Sequence, residues 1–252
     1  MQTVKLAASQ FERDGYLVVR GLASPSLCQR LSGSIEQALE PLQGPAEFET
    51  EVGYLGAPSS RDAPGGNTPR RLLHTYSRDQ VFREWAHAPA KREYLYELMG
   101  TERISMSQCH HNCVMTKQPG FSSETLWHQD IRYWSFDRPE LVSVWLALGE
   151  ESAENGALWV IPGSHTLELG RGKLDAKLFL RRDLAENQEL IDQAKLVRLS
   201  RGDVLFFHCR VLHAAGMNQT DQVKLSAVST YHASDNAPIP NTRSAQYPSI
   251  PL

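Results

Sequence analysis

Apolar residues in the first hundred positions recur mainly with helical spacing. Residues 1–15 predict a short helix that ends at Gly15, and "YLVVRGL" after it predicts a strand. In "SPSLCQRLSGSIEQALE", Ser24 stands at the N-cap position and Pro25 at the first helical position, ahead of apolar residues at 27, 31, 35, 38 and 39. The segment "SRDQVFREWAHAPAKREYLYELMG" predicts further helix up to Gly100, with a break near Pro89.

The remaining pattern is a long loop followed by strands. Residues 43–70 are rich in Gly and Pro, and a loop of this length predicts a lid or a binding loop. From residue 103 onward, short β-rich runs alternate with turn residues, and a polar, partly helical insert occupies residues 165–194. Helices followed by strands predict an α+β fold whose β part is a sandwich or jelly roll. No repeat or linker divides the chain, so a single domain over residues 1–252 is predicted.

Composition narrows the class of protein. The chain has 252 residues, 41% of them hydrophobic and 22% charged, as in ordinary globular proteins. A net charge of −3 and the absence of basic runs argue against nucleic acid as a partner. No apolar stretch resembles a signal peptide or a membrane span, which predicts a cytoplasmic protein with no membrane partner. The four cysteines are expected to be buried free thiols rather than disulfides or zinc ligands (Cys28, Cys109, Cys113, Cys209).

The first candidate functional residues lie in "LWHQDIRYWSF", residues 126–136. On a strand, His128 and Asp130 would point to one face and Gln129 to the other. An imidazole and a carboxylate that converge among apolar residues indicate a metal, because an unpartnered buried carboxylate is costly. A simple His–Asp hydrogen bond at a strand end is the alternative. A third ligand is available from "RGDVLFFHCRVLHAAGMNQT", which offers His208 and His213. Two histidines and one carboxylate form the facial triad of non-haem Fe(II) oxygenases.

Three segments, in order, resemble the phytanoyl-CoA dioxygenase family of Fe(II)/2-oxoglutarate oxygenases: "WHQDIRYWSFDRPELVSVWLAL", "NGALWVIPGSH" and "RGDVLFFHCRVLHAAGMNQT". The similarity runs from about Phe11 to about Ser234. It implies a double-stranded β-helix (a jelly-roll or cupin-like core) with the N-terminal helices packed on the sheet. It also implies Fe(II), 2-oxoglutarate and O2, with the iron held by His128, Asp130 and His213, and hydroxylation rather than halogenation because the carboxylate ligand is present.

The resemblance also implies a cosubstrate site. Family members usually place an arginine eleven residues after the distal histidine, and Lys224 stands at that position here. Lysine can neutralise a carboxylate of 2-oxoglutarate but cannot form the two-pronged contact of arginine. Lys117 and Trp145 match residues near the cosubstrate in relatives, and Gln129 is also a candidate for cofactor binding. Ala215 replaces a serine that is frequent in relatives.

Candidates for substrate binding fall into two groups. Arg132 and Trp134 continue the predicted His128/Asp130 face, and His111 lies on the adjoining strand. Arg70, Arg71 and His74 follow the Gly/Pro loop, where they either bind an anionic group or, as is more common for such arginines, form salt bridges. The sequence has no extended basic region suited to the diphosphate of coenzyme A, which favours a small polar substrate.

The sequence thus predicts a dioxygenase that hydroxylates a small polar metabolite and releases succinate and CO2. A non-catalytic jelly-roll binding protein with a vestigial metal site is one alternative. A zinc hydrolase is another, although no general-base motif such as H-E-x-x-H is present. The predicted partner is a small molecule, and the sequence does not fix the oligomeric state.

Overall fold

The computed structural model describes residues 2–252. Its α-helices are α1 Gln2–Asp14, α2 Pro25–Leu39, α3 Glu49–Val52, α4 Thr75–Arg78, α5 Gln80–Ala86, α6 Pro89–Met99 and α7 Ala185–Ile191. Its strands are β1 Tyr16–Val19, β2 Ala46–Phe48, β3 Pro69–Leu73, β4 Ile104–Lys117, β5 Thr125–His128, β6 Leu141–Ala147, β7 Leu158–Val160, β8 Lys195–Leu196, β9 Val204–His208, β10 His213–Ala215, β11 Lys224–Ala233 and β12 Ile250–Pro251. Short 3-10 turns cover Asp130–Tyr133, Ser164–Thr166, Arg171–Lys173 and Arg243–Ala245.

The predicted helix boundaries follow from local capping. The Ser24 side chain accepts a hydrogen bond from the Leu27 amide, and Pro25 begins α2, as expected. Pro89 separates α5 from α6, and Gly100 ends α6 in a left-handed conformation. The predicted first helix is found as α1, while Met1 lies outside the described residues. None of the described helices is long and apolar enough to span a membrane.

Two antiparallel sheets form the β part. The larger has the order β1-β9-β6-β11-β4-β3-β2, with β12 paired to β4, and the smaller has the order β5-β10-β7-β8. Side chains from both sheets share one buried cluster that includes Trp145, Leu158, Val160 and Phe207. The predicted double-stranded β-helix is therefore confirmed, because its two sheets enclose a common apolar interior.

The other face of the larger sheet is covered by the N-terminal helices, as predicted. Leu31 of α2, Trp85 of α5 and Leu95 of α6 lie in one buried cluster with Val144 and Phe206 of the sheet. The sheet is thus buried on both faces, which makes it a rigid support for side chains that project into the interior of the jelly roll.

Strand β4, which carries His111 and Lys117, contains a β-bulge. Asn112 pairs with Ser229 of β11, but the next pair joins Ser107 to Thr230, so residues 108–111 have no partner on β11. His110 within this bulge has φ 66°. A bulge changes the direction of the side chains around it, so strict alternation does not hold along β4.

The segments predicted as loop and insert carry some regular structure. Strand β2 and helix α3 lie within residues 43–70, β3 begins at its end, and α7 lies within residues 165–194. The three-residue strand β10 was not predicted. The four cysteines are buried and free, as expected.

Candidate metal centre and its cavity

The three predicted metal ligands meet where β5 and β10 lie side by side. His128 is the last residue of β5, and His213, the first of β10, is its direct partner across the antiparallel ladder. Strand β5 ends before Asp130, which begins a 3-10 turn, so the prediction that His128 and Asp130 share one strand face was wrong in its geometry. The convergence itself is present: one ligand atom from each of the three residues lies within 4.8 Å of the others.

Hydrogen bonds fix the tautomer of both histidines. His128 Nδ1 lies 2.8 Å from the Leu126 carbonyl oxygen, and His213 Nδ1 lies 3.0 Å from that of Val211. A carbonyl oxygen only accepts, so each Nδ1 carries the hydrogen and donates it. Each Nε2 is then left with a lone pair, the arrangement found in metal-bound histidines.

Asp130 completes the set. Its Oδ1 lies 3.5 Å from His128 Nε2 and 3.4 Å from His213 Nε2, and its side chain is 1% exposed. Its Oδ2 is buried with no hydrogen-bond partner, although His111 Nδ1 is 3.5 Å away. Burial opposes ionisation, yet His111 and His213, protonated at the low pH where this carboxyl would titrate, hold the pKa of Asp130 well below its usual range. An ionised carboxylate with an unsatisfied oxygen, facing two imidazole lone pairs, fits a divalent cation.

His208 is not among the residues whose ligand atoms converge. Its Nδ1 accepts a hydrogen bond from the Arg210 amide, and its ring lies next to His165 with a centroid distance of 5.4 Å. Burial lowers its pKa to about 4.

A cavity of about 270 Å³ opens beside the triad. Lys224 and Lys117 line it from directly paired positions of β11 and β4. Trp145 lines it as well, and the Lys224 ammonium lies 4.9 Å from the centroid of the indole ring. The predicted cosubstrate residues Lys224, Lys117 and Trp145 are therefore brought together.

Sequence reasoning missed Glu151, whose carboxylate forms an ion pair with the Lys224 ammonium. Its Oε2 lies 3.3 Å from the Lys224 Nζ, and its Oε1 accepts hydrogen bonds from Trp145 Nε1 at 2.9 Å and Ser226 Oγ at 2.6 Å. The side chain is 1% exposed. Nothing in "LGEESAENG" distinguishes this glutamate from its acidic neighbours, so only the fold identifies it.

Lys117 has no acidic partner within 4.0 Å among the described residues. Its ammonium donates to the carbonyl oxygens of Ser123, at 3.0 Å, and Gly216. Burial, together with the charges of Lys224 and Arg70, lowers the pKa of Lys117 to about 7.

Four of the six predicted substrate residues line the same cavity: His111, Arg132, Arg70 and Arg71. Burial lowers the pKa of His111 to about 4, so its ring is neutral at pH 7. Arg71 donates through two nitrogens to the two carboxylate oxygens of Glu47, and Arg70 Nε lies 3.5 Å from Glu47 Oε1. The salt-bridge alternative therefore holds for both arginines, at the wall of the cavity.

Three predicted residues lie elsewhere, which corrects their assignment. Trp134 donates to the Cys109 carbonyl oxygen and packs edge-on behind His111, at 5.0 Å between ring centroids. Gln129 donates to the Arg210 carbonyl oxygen, and His74 packs against Tyr247. The 3-10 turn explains Trp134, because three residues per turn replace the two-residue alternation of a strand.

Aromatic side chains from the long loop and the insert complete the surroundings of the metal site. The Tyr54 and Tyr133 hydroxyls are 3.2 Å apart, and the Phe179 ring lies 5.7 Å from the His128 ring. Sequence reasoning missed all three residues. Tyr54 lies in the loop predicted to be a lid and Phe179 in the predicted insert, and that placement was a signal that was available.

A jelly roll that holds two histidines and one aspartate beside a cavity is the arrangement of non-haem iron oxygenases. The family model for phytanoyl-CoA dioxygenase (PhyH) matches residues 11–226. This chain belongs to that family of Fe(II)/2-oxoglutarate-dependent oxygenases. The predicted fold, enzyme class and cofactors are thereby confirmed.

Individual relatives cover most of the chain. Phytanoyl-CoA dioxygenase domain-containing protein 1 of Bos taurus is 25% identical over 90% of this chain and 89% of its own length. Ectoine dioxygenase of Sphingopyxis alaskensis is 25% identical over 91% of this chain and 76% of its own. Two crystal structures share the fold: EctD from S. alaskensis with 2-oxoglutarate and 5-hydroxyectoine (TM-score 0.77, 21% identity, 92% and 77% of the two chains), and the epimerase SnoN with Fe3+, alpha ketoglutarate and nogalamycin RO (TM-score 0.75, 20% identity, 95% and 87%).

Proposed function

We propose that this dioxygenase hydroxylates a small polar metabolite, with 2-oxoglutarate and O2 converted to succinate and CO2 as a C–H bond of the substrate becomes C–OH. The observation that carries this proposal is the unsatisfied Asp130 carboxylate, which faces two histidine lone pairs beside a cavity with two lysines. A cavity of about 270 Å³ lies at the small end for ligand sites, which supports a compact substrate.

The metal ligands in this proposal are His128, Asp130 and His213. When bound, iron supplies the redox chemistry that couples oxidation of 2-oxoglutarate to oxidation of the substrate. The chain's own residues orient that metal: the Leu126 and Val211 carbonyl oxygens hold both imidazoles in the tautomer that presents Nε2.

The cosubstrate is assigned to the end of the cavity that carries Lys117 and Lys224. Two ammonium groups and one internal carboxylate, Glu151, leave a net charge of +1 when both lysines are protonated. One carboxylate of 2-oxoglutarate would neutralise that excess in a buried site, where charge balance is worth more than in water. In this arrangement Glu151 holds Lys224 in place as the donor that contacts the cosubstrate carboxylate, and Lys117, which has no acidic partner among the described residues, keeps the net charge of the site positive.

The aromatic residues exclude water from the reacting centre. Tyr54, Tyr133 and Phe179 pack around His128, with Tyr54 contributed by the predicted loop over residues 43–70 and Phe179 by the predicted insert over residues 165–194. Water exclusion strengthens electrostatic contacts within the site and protects reactive groups. This arrangement favours a lid role for the loop.

Two alternatives are less well supported. A vestigial binding protein has no need to keep all three ligands with their tautomer-fixing hydrogen bonds. A zinc hydrolase needs a general base, and the acidic residues that line the described cavity are Asp130, a ligand, and Glu47, which is paired with two arginines.

The buried free thiols are in keeping with the predicted cytoplasmic location.

The test of the metal site is anaerobic addition of Fe(II) and 2-oxoglutarate, with a visible charge-transfer band as the readout. His128→Ala, Asp130→Ala and His213→Ala should each abolish the band and succinate formation, because each removes one of three protein ligands. His208→Ala is the matched control and should keep both. Loss of iron in His208→Ala with retention in His213→Ala would contradict the ligand assignment. Zinc-dependent hydrolysis without the band would favour the hydrolase.

A further inference from the structure

Besides the lysine pair, the cavity carries a second group of cationic side chains. The group consists of Arg70, Arg71, Arg132, Lys177 and Arg243. Both oxygens of Glu47, which also lines the cavity, are engaged by Arg70 and Arg71. Within residues 2–252, no carboxylate lies within 4.0 Å of the charged groups of Arg132, Lys177 or Arg243. The positive charge of this group therefore exceeds the negative charge of Glu47.

Arg132 combines a buried donor with the absence of an acidic partner among the described residues, whereas Arg70, which also has a buried unpaired nitrogen, lies 3.5 Å from Glu47. The Arg132 Nη1 is shielded from solvent and has no hydrogen-bond partner. The guanidinium lies 4.0 Å from the centroid of the Phe179 ring and 5.1 Å from that of Tyr133, so aromatic faces hold it in place. A ring face does not accept the in-plane hydrogen bonds of a guanidinium, so Nη1 remains unsatisfied.

Arg132 is also close to the reacting centre along the chain. It follows Asp130 by two residues within the same 3-10 turn, and its neighbour Tyr133 packs against the His128 ring at 5.9 Å. A ligand group bound by Nη1 would therefore lie beside the metal site.

From this geometry we propose that the substrate of the dioxygenase is a small anion whose carboxylate or phosphoryl group is bound by Arg132. This inference rests on the proposed function. An oxyanion would satisfy the buried Nη1 donor and balance the excess charge of the cationic group, and the planar guanidinium suits either oxyanion. Arg243 and Lys177 contribute to the potential that attracts the anion, while Arg71 is fixed by Glu47.

The experiment measures binding to metal-free protein in the presence of saturating 2-oxoglutarate. The probes are matched pairs from a panel of small metabolites: each carboxylic acid with its amide, and each phosphate monoester with its alcohol. Octanoyl-CoA is added as a large anion. Isothermal titration gives the dissociation constants, and succinate formation by the Fe(II)-loaded enzyme identifies which binders are oxidised.

Anionic members of the panel should bind at least tenfold more tightly than their neutral partners. Whether acids or phosphate esters bind better distinguishes the two oxyanions. Arg132→Gln should weaken anion binding by about 10- to 100-fold, because a charge-assisted hydrogen bond is lost. Arg132→Lys should restore part of it. Arg138→Gln is the matched control, since Arg138 is an exposed arginine paired with Glu140 and Asp235.

Three results would overturn the proposal: no anion-selective binding anywhere in the panel, unchanged anion binding in Arg132→Gln, or selective binding of octanoyl-CoA alone. These failures are separate from failure of the proposed function. The charge-transfer band with Fe(II) and 2-oxoglutarate tests the latter, and Arg132→Gln should leave that band in place.

Discussion

Lys224 carries two interactions, and a substitution there disturbs both. Lys224→Ala removes the partner of buried Glu151, and breaking a buried pair costs about 3–5 kcal/mol in the free energy of unfolding. It also removes a cation from the proposed cosubstrate site, so we expect the apparent 2-oxoglutarate constant to rise by roughly two orders of magnitude. Urea unfolding and succinate formation at varied 2-oxoglutarate measure the two effects.

The double variant Lys224→Met/Glu151→Gln separates the effect on stability from the effect on cosubstrate binding. It removes both charges, so most of the lost stability should return while the cosubstrate constant stays high. An unchanged constant in this variant would mean that Lys117 or Arg70 anchors 2-oxoglutarate alone. Lys224→Arg should retain partial activity, because the charge remains in a pocket shaped for a narrower group.

Lys117 predicts how cosubstrate binding depends on pH. Its pKa of about 7 lies below the usual 10.5, so the ammonium is lost as pH rises through 7. The affinity for 2-oxoglutarate should fall above that pH by up to about tenfold per unit. Lys117→Met should bind weakly and remove this part of the pH dependence. A wild-type affinity that rises between pH 7 and 8.5 would contradict the assignment.

The lowered pKa of Lys117 also affects the stability of the ligand-free protein. The pKa of Lys117 is lower in the folded protein than in the unfolded chain, so protonation of Lys117 destabilises the folded state. This destabilisation is complete below pH 7 and absent above pH 10.5. The free energy of unfolding of the wild type should therefore increase, relative to Lys117→Met, as pH rises across this window. Chemical denaturation at several pH values measures the difference.

Residues whose chemistry is rare were predictable from the sequence, and residues defined by a contact were not. His128, Asp130 and His213 could be identified because few residue types bind iron and their motifs resemble a known family. Glu151 could not, since its role comes from β11, which lies more than seventy residues further along the chain. Trp134 lies outside the cavity because a 3-10 turn replaces the predicted strand, and His74, a left-handed residue after the loop, packs against Tyr247 instead of lining the cavity.

The turn before β7 lies in close contact with Lys117, at the end of the cavity proposed for the cosubstrate. Gly156 has φ 76°, and a Cβ there would lie 2.5 Å from the Gly216 carbonyl oxygen and 2.9 Å from Lys117 Cδ. Gly156→Ala should lower the free energy of unfolding by about 1–3 kcal/mol and weaken 2-oxoglutarate binding, because Lys117 must move.

Gly149→Ala is the control for that substitution, since nothing lies within 4 Å of the added methyl group and no left-handed conformation is required. Thermal unfolding and cosubstrate titration of both variants make the comparison. Equal behaviour of the two variants would show that the Gly156 contact is not needed.

Element prediction succeeded where the signal is local. Helix α2 was predicted because Ser24 and Pro25 determine its start and four apolar positions determine its buried face. Strand β10 was missed because three residues are too short for a period, and it exists only through its pairing with β5 and β7. The bulge at residues 108–111 was likewise invisible, since a break in alternation depends on the partner strand.

The triad brings together two strands, β5 and β10, and the turn that begins at Asp130, so a bound metal would link three separate parts of the fold. A metal that binds the folded protein alone stabilises it by about 2.7 kcal/mol at a hundredfold excess over its dissociation constant. For a chain of this size, each kcal/mol raises the melting temperature by roughly 2–4 °C. Anaerobic Fe(II) should therefore raise the melting temperature by several degrees, and a chelator should reverse the shift.

His213→Ala should show neither effect, while His208→Ala should behave as the wild type. A shift of the same size in His213→Ala would indicate that the metal stabilises the protein from a different site.

Strand β5 lies at the end of the smaller sheet, and the insert covers its outer side. The Leu180 amide donates to the Trp127 carbonyl oxygen at 2.8 Å, and Phe179 forms a backbone bridge with His128. An uncovered edge strand offers its hydrogen-bonding groups to other chains. By pairing with β5, the insert makes these groups unavailable for self-association. Shortening it to make a smaller enzyme would therefore threaten solubility as well as catalysis, because the strand left bare is the one that ends in a metal ligand.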